Sequence, residues 1–497
     1  MDAAVLEKVS ENDRANFESI RNKILRLEKE ERQRSERVKD SINRSEIDLS
    51  SDLRSTRKQL ELIITKIQNY LPNFLPEMRS FSDIANSIGN DKFLSYIAYT
   101  PYGGFAIIVP SQSTHLDKNS VIWLDNLSTG TVESLLGVDK LSLNGGSYGF
   151  ISAQAGETPG GYNYVMIMQE ALDEILPLLG KNLNPFIERL KTLGCKRCSI
   201  VATGLLSLMP LHAARMDNDY FVDNGIEISF TPSAFASQVA QKALDTIYSQ
   251  TLFAISDPLH ESGSSLIYSR IEISEIASFF SENNRCILDQ GEASQKAVYD
   301  NISDSTYVHF SCHGQFNLGN PLLSSLLLSN NDELTLSDIL NRLTLSGTRL
   351  VVLSACQTAI PDFSKVPDEM IGFPTVFLQI GVPGVLGSLW PVNVLSTALL
   401  MIKFYEYHLH GNSENDEKPM SPSRALRLAQ LWLRDATNSE LSELFVKYKL
   451  SATDQPIKTR LAYEKASEKF RSDTDKYPTK HPYAHPYYWA PFVFYGE

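Results

Sequence analysis

Two short stretches of the chain hold the residue types of nucleophilic catalysis. The first reads Tyr307-Val308-His309-Phe310-Ser311-Cys312-His313-Gly314, and the second reads Leu350-Val351-Val352-Leu353-Ser354-Ala355-Cys356-Gln357-Thr358. Each is an apolar, β-branched or aromatic run that breaks off in polar residues. That is the pattern of a buried strand delivering a side chain at its carboxyl end. A thiol becomes a strong nucleophile near neutral pH when a base takes its proton, and imidazole is the usual base. In open parallel α/β sheets, ligands bind beyond the carboxyl ends of the strands. His313 and Cys356 are therefore the candidate base and nucleophile of a thiol acyl transfer.

Strand parity assigns the neighbours. Tyr307, His309, Ser311 and His313 fall on one face and Val308, Phe310 and Cys312 on the other, so Cys312 reads as a core thiol. The oxyanion of a tetrahedral intermediate needs donors aimed at it, and the backbone N–H groups of Gly314 and Cys356 are the natural pair. The missing Cβ at Gly314 lets backbone approach a substrate closely. His309 and Ser311 are candidates for orienting His313. Ser354 and Asp362 are candidates for touching substrate. The acids Asp362, Asp368 and Glu369 leave two readings open, a basic residue at the cleaved bond or a helix start at 370 favoured by the helix dipole. The mechanism requires no metal and no organic cofactor. Cys195 and Cys198 form one C-x-x-C, and a single pair does not complete a tetrahedral zinc site.

The elements that must position these residues follow from the patterning of 250–497. Strands are expected near 252–256, 286–288, 307–313, 325–329, 350–356, 382–389 and 488–495. Between them, helices are expected near 271–280, 294–302, 336–342, 370–380, 396–408 and 422–435. This alternation calls for a mostly parallel sheet with helices on both faces. Two stretches look inserted: a polar turn at 411–419, and 451–479, whose charged composition suits a mobile loop or an exposed helix. Upstream, 91–240 reads as a second α/β unit without a Cys/His pair. It has short strands near 93–100, 104–109, 121–124 and 198–202, helices at 164–178 and 184–193, and extended pieces at 205–213 and 226–230. Residues 1–78 read as a helical arm or hairpin. Phe17, Ile20, Ile24 and Leu27, then Leu53, Leu60, Ile64, Ile67 and Leu71, step by three and four, with a charged block at 28–40 between them. Pro72 and Pro76 end it. The arm suits either packing on the body or docking of an activating or inhibitory protein partner.

Composition narrows the class. The chain has 497 residues and a net charge of −13, and it is 42% hydrophobic. It can bury large cores, and its acidity speaks against general nucleic-acid binding. Five cysteines are too few for a disulfide framework and suit a reducing cytoplasm. Residues 1–20 lack the apolar core of a signal peptide, and no apolar run is long enough to span a membrane.

The order His-Gly then Ala-Cys resembles the caspase-type cysteine proteases. The surrounding text is more similar to the CHAT peptidases, caspase-like proteases often attached to TPR repeats. The resemblance rests on Phe310-Ser311-Cys312-His313-Gly314, Pro321-Leu322-Leu323-Ser324-Ser325-Leu326-Leu327-Leu328, Leu353-Ser354-Ala355-Cys356-Gln357-Thr358 and Asp368-Glu369. It continues in Gly384-Val385-Leu386-Gly387-Ser388-Leu389-Trp390-Pro391-Val392 and His485-Pro486-Tyr487-Tyr488-Trp489-Ala490-Pro491-Phe492. It implies a caspase-like peptidase domain at 250–497, a siteless caspase-like half at 91–240, and an arm where TPR arrays end. It also implies regulated cleavage of a dedicated protein substrate, with bacterial defence as one setting. Thr358-Ala359 departs from the small Thr-Gly that follows the cysteine in the family. Two other classes stay open on the residues alone: a catalytically idle caspase-like scaffold or interaction module, and a glutaminase- or thioesterase-type thiol hydrolase. The latter usually places its cysteine on an elbow with a nearby glycine, which 353–358 lacks.

Overall fold

The computed structural model describes residues 9–36, 46–71, 80–137, 150, 164–217, 219–244, 250–261, 265–315, 317, 320–355, 358, 372–412 and 417–497. The chain divides into two compact units, Met1–Ser80 and Phe81–Glu497. In the first, helices α1 (Glu11–Glu36) and α2 (Glu46–Gln68) pack on each other. Phe17, Ile63 and Ile67 share one apolar cluster and Ile24, Leu27 and Leu53 another. The apolar stripe of the arm thus closes a core within the arm itself.

The second unit is built on eleven strands. They are β1 (Lys92–Thr100), β2 (Gly103–Pro110), β3 (Val121–Leu124), β4 (Arg197–Ala202), β5 (Glu227–Phe230), β6 (Leu252–Ser256), β7 (Arg285–Asp289), β8 (Tyr307–Ser311), β9 (Leu350–Ser354), β10 (Gly384–Ser388) and β11 (Phe492–Gly496). They form one sheet in the order β3-β2-β1-β4-β5-β11-β10-β9-β8-β6-β7. Pairing is parallel except where β2 meets β1 and β3 and where β11 meets β10. Strand β11 pairs with β5 through Phe230 and Tyr495, so it joins the strands of 91–240 to those of 250–497 in a single sheet. Within the latter segment the strands run β7-β6-β8-β9-β10. That order reverses between β6 and β8, the kind of switch point where open sheets bind ligands.

Both faces of the sheet are covered. Helix α3 (Tyr164–Thr192) is one helix where two were expected. Pro177 and Pro185 lie inside it, and each proline costs a helix about 3 kcal/mol. A continuous buried face from Ile167 to Leu190 outweighs that cost. Helices α4 (Ser269–Ser278), α5 (Phe373–Gln379) and α6 (Val394–Leu409) cover the strands that matter to the site. Tyr405 of α6 stacks near His309, while Phe377 of α5 meets Phe310 on the opposite face, with ring centroids 6.5 Å apart.

Other expectations give way to burial. The 205–213 stretch forms two 3-10 turns, Gly204–Leu208 and Leu211–Ala213. The stretch at 451–479 contains helix α8 (Ile457–Lys476), which packs with α7 (Asn438–Ser451) and buries Ala462, Tyr463, Ala466 and Phe470. Its small and aromatic residues at helical spacing supply the inner face that its charged composition hides. The expected strand from 488 begins instead as a short helix, Pro486–Trp489, because His485 caps the N–H of Tyr487 and Pro486 occupies the first helical position. Cys195 and Cys198 are free, buried thiols, with Cys195 Sγ on the Arg197 carbonyl and Cys198 Sγ on Ser95 Oγ, both at 3.3 Å. Among the described residues, no helix is long and apolar enough to cross a membrane.

Candidate active site

Strand β8 lies between β6 and β9, and its last residue is in register with theirs. Ser311 stands opposite Ser256 on one side and Ser354 on the other. The side chains of β8 alternate as a strand requires. Tyr307 Oη lies 3.4 Å from His408 Nε2, and His309 Nδ1 lies 3.3 Å from Tyr405 Oη, so both point at α6. Cys312 follows, 2% exposed, and His313 comes next, half-buried, just beyond the carboxyl end.

The backbone around His313 is held by a second, small sheet. Gly314–Gln315 pairs antiparallel with Ser325–Leu327, which pairs with Glu333–Thr335. The Leu327 N–H donates to the His313 carbonyl at 2.9 Å, and Gly314 stands opposite Leu326. That combination makes Gly314 and Leu326 a non-hydrogen-bonded pair, so the Gly314 N–H faces away from the ladder.

Beneath this strand end lies a set of buried acids. Glu272 of α4 is 1% exposed and His309 is fully buried. His309 Nε2 lies 2.9 Å from Glu272 Oε1, and Ser311 Oγ donates to Glu272 Oε2 at 3.0 Å. Burial pushes the Tyr405 hydroxyl well above its usual range, with the nearby Tyr307 and Glu272 adding to the effect. Tyr405 therefore keeps its proton beside His309 Nδ1, and because a carboxylate only accepts, His309 Nε2–H donates to Glu272. Asp257 follows β6 with a left-handed φ of 46°, which Asp tolerates better than most residues. Its N–H donates to the Ser311 carbonyl at 3.1 Å, and Ser269 Oγ reaches the same carbonyl at 3.3 Å. The Asp257 carboxylate accepts from Leu266 N–H at 2.6 Å, Ser265 Oγ at 2.9 Å and Arg270 at 3.1 Å. Arg270 also donates to Asp289 at 3.0 Å.

The end of β9 is held differently. Ser354 closes the strand at 6% exposure, and Ala355 is buried at 2%. Cys356 and Asp362 lie outside the described residues, as do Asp368 and Glu369. The Ala355 carbonyl accepts from Ser388 Oγ at 2.6 Å and faces Thr358 Oγ1 at 3.3 Å. Thr358 Oγ1 in turn accepts the Ser388 N–H at 3.0 Å.

His313, Gly314 and Ser354 thus gather at one end of the sheet, on neighbouring strands or just past them. His309 and Ser311 engage Glu272. Sequence reasoning missed Glu272, Asp257, Arg270, Ser269 and Ser388. A faint signal existed for Glu272, which falls on the same buried face of α4 as Ile276 and Ile273. Asp257 was visible only as a strand terminator before Pro258.

The CHAT domain family model matches residues 169–497. Among solved structures, the chain is similar to the Arg-specific cysteine proteinase gingipain R, at 9% identity and a TM-score of 0.38, with 69% of each chain covered. It is also similar to a chain of the Saccharomyces cerevisiae separase–securin complex, at 13% identity and a TM-score of 0.35. That match covers 97% of this chain and 27% of the other. No curated protein matches the chain.

Proposed function

The chain belongs to the CHAT-domain family, and we propose that it is a cysteine endopeptidase in which His313 activates Cys356. One observation carries the reading. Strands β8 and β9 are adjacent, parallel and in register at Ser311 and Ser354. His313 is the second residue beyond the one and Cys356 the second residue beyond the other. Two chains leaving a parallel sheet from the same level, about 4.8 Å apart, support a reading in which an imidazole on one works with a thiol on the other.

The steps follow from that pairing. His313 takes the thiol proton as Cys356 Sγ attacks the carbonyl carbon of a peptide bond. The N–H of Gly314 and the N–H of Cys356 receive the oxyanion. His313 then gives its proton to the departing amine, leaving a thioester on Cys356. Water, deprotonated by His313, adds to the thioester through a second oxyanion, and the thiol leaves with the proton. The substrate is a protein segment, with Ser354 and Asp362 as the side chains that touch it. We assign the arm, residues 1–78, the contact with a regulatory protein. Leu62, 65% exposed on a helix that has already closed a core with its neighbour, and Tyr70, 47% exposed in the turn after it, support this.

The test uses a library of fluorogenic peptides and a peptidyl acyloxymethyl ketone that alkylates catalytic thiols. Cys356→Ala and His313→Ala should each abolish turnover at unchanged folding, and only Cys356→Ala should abolish labelling at saturating probe. Cys312→Ala should retain most activity. Turnover that survives Cys356→Ala, or dies with Cys312→Ala alone, would overturn the assignment.

A further inference from the structure

The sheet has two outer edges, and they are built differently. At one edge, β7 begins and ends in charge, with Arg285 and Asp289, which is one way proteins keep an edge from pairing. At the other edge lies β3, Val121-Ile122-Trp123-Leu124, with no charge in it. Trp123 is 68% exposed, and its ring meets Phe105 of β2 edge-on with centroids 6.3 Å apart. The ladder decides which backbone groups of β3 face outward. The Ile97 carbonyl of β1 accepts the Thr203 N–H at 3.0 Å, so Ile97 turns its polar groups toward the β4 side. Ala106, opposite Ile97 on β2, therefore turns its own toward β3, and so does Gly104 two residues away. Ala106 and Gly104 stand opposite Ile122 and Leu124. Ile122 and Leu124 thus make the bonds to β2, and the N–H and C=O groups of Val121 and Trp123 point out of the sheet. Among the described residues, these four groups are unpaired.

We propose that β3 pairs with β3 of a second copy of this chain, antiparallel, across a two-fold axis at Ile122. That axis sets Val121 opposite the partner's Trp123 and Trp123 opposite the partner's Val121. Each pair exchanges two N–H···O=C bonds, so every outward group of both copies is satisfied. A shift of two residues in either direction keeps only one such pair within the strand and halves the bonds. The same register lays each exposed indole beside a valine on one face, an aromatic and β-branched cross-strand pair of the favourable kind. Charge agrees with it. Lys118 and Asp125, both exposed, flank β3 at its two ends. Across the axis, Asp125 falls opposite the partner's Asn119 and next to the partner's Lys118, so opposite charges meet twice. Asp117 is turned back on its own turn, where its Oδ1 accepts the N–H groups of Asn119 and Ser120 at 2.9 Å. An unrelated extended segment could fill the backbone positions, but only a second copy brings the matching charge to both ends by symmetry. The inference stands apart from the peptidase reading, because β8 and β9 lie toward the other edge of the sheet.

Sedimentation equilibrium of the full chain tests the pairing. A four-residue strand pair lies at the small end of interface sizes, so the dimer should be weak, with a Kd of about 10–100 µM, and loading from about 1 to about 200 µM brackets it. Trp123→Lys should weaken it at least about 10-fold, as the loss of a central aromatic does, while the thermal midpoint stays put because the ring is exposed. Lys118→Glu and Asp125→Lys should each weaken the dimer about three- to fivefold at low salt, since each sets like charges face to face. The double variant Lys118→Glu/Asp125→Lys restores the opposite pairs and should return the Kd to within about twofold of wild type. A recovery of that kind cannot come from misfolding. A wild type that is still monomeric at about 200 µM, whatever extended peptide the edge then takes, would overturn the proposal. So would a dimer indifferent to Trp123→Lys, or a double variant no tighter than the single ones.

Discussion

The ends of β8 and β9 lie side by side, yet different chemistry holds them. The histidine-bearing strand is pinned by ionisable groups. Glu272 takes Ser311 Oγ and His309, while Asp257, tied to Arg270, takes the Ser311 carbonyl through its N–H. The cysteine-bearing strand is pinned by neutral hydroxyls, Ser388 and Thr358. The charged clamp carries the larger share of local stability, and the hydroxyl clamp the smaller.

The contrast is broken most forcefully at Arg270. It is 5% exposed and faces Asp257, which is 1% exposed. Arg270→Leu leaves that carboxylate buried with only Leu266 N–H and Ser265 Oγ, and removing one partner of a buried pair costs about 3–5 kcal/mol. Urea unfolding should show a loss of that size. A loss under about 1 kcal/mol would mean that solvent reaches Asp257 and that the strand end is not held by charge.

The next largest effect lies at the far end of the same strand, where β8 carries structure and no chemistry. Burial pushes the His408 imidazole down to about 4, against a smaller upward pull from the Met420 carbonyl. His408 Nδ1–H donates to that carbonyl at 2.7 Å, so the ring is neutral in the fold. Its folded pKa lies below the unfolded one of about 6.5, so the unfolded chain binds the proton first. The stability this neutral ring contributes is fully present above about pH 6.5 and is lost as pH falls toward about 4, some 3 kcal/mol in all. Urea midpoints measured from pH 7 to 4.5 should fall accordingly, and His408→Gln should flatten that fall.

Glu272→Gln comes third. The amide keeps one acceptor oxygen and turns an amino group toward whichever of His309 Nε2–H or Ser311 Oγ–H faces the other side. One buried donor then loses its acceptor, which costs about 2 kcal/mol. Ser388→Ala should cost about 1 kcal/mol by the same measure. If Glu272→Gln were the milder change for stability, the division between the two strand ends would fail.

Much of this was legible in the residues, for physical reasons. The runs at 307–311 and 350–354 are largely apolar and are buried throughout because both faces of a parallel sheet are covered, and their polar breaks mark the strand ends. Parity along β8 follows from the pleat alone, and it separated His309 and Ser311 from Phe310. The strand order was not legible. The place of β11 between β5 and β10 depends on pairings 104 to 112 residues apart with β10 and 265 residues apart with β5, and no local pattern encodes them. Glu272 was hidden because a charged residue reads as surface until its partners are known. Ser388 was hidden because a serine closing a strand is common, and only the carbonyl it meets gives it a role.

The smallest expected effect tests whether the charged clamp is redundant. Asp257 accepts from three donors: the Leu266 N–H, Ser265 Oγ and Arg270. Ser265→Ala removes one neutral donor at 2.9 Å and leaves the carboxylate with its counter-ion and a backbone N–H. A single neutral hydrogen bond contributes about 1 kcal/mol net, so unfolding should shift by no more than that. The Asp257 N–H that holds the Ser311 carbonyl is backbone and survives the substitution, as does the donor Ser269 Oγ. Turnover and the alkylation rate of Cys356 should therefore match wild type within about twofold. A larger fall in turnover at that small cost in stability would show that the loop carrying Ser265 acts on the site directly.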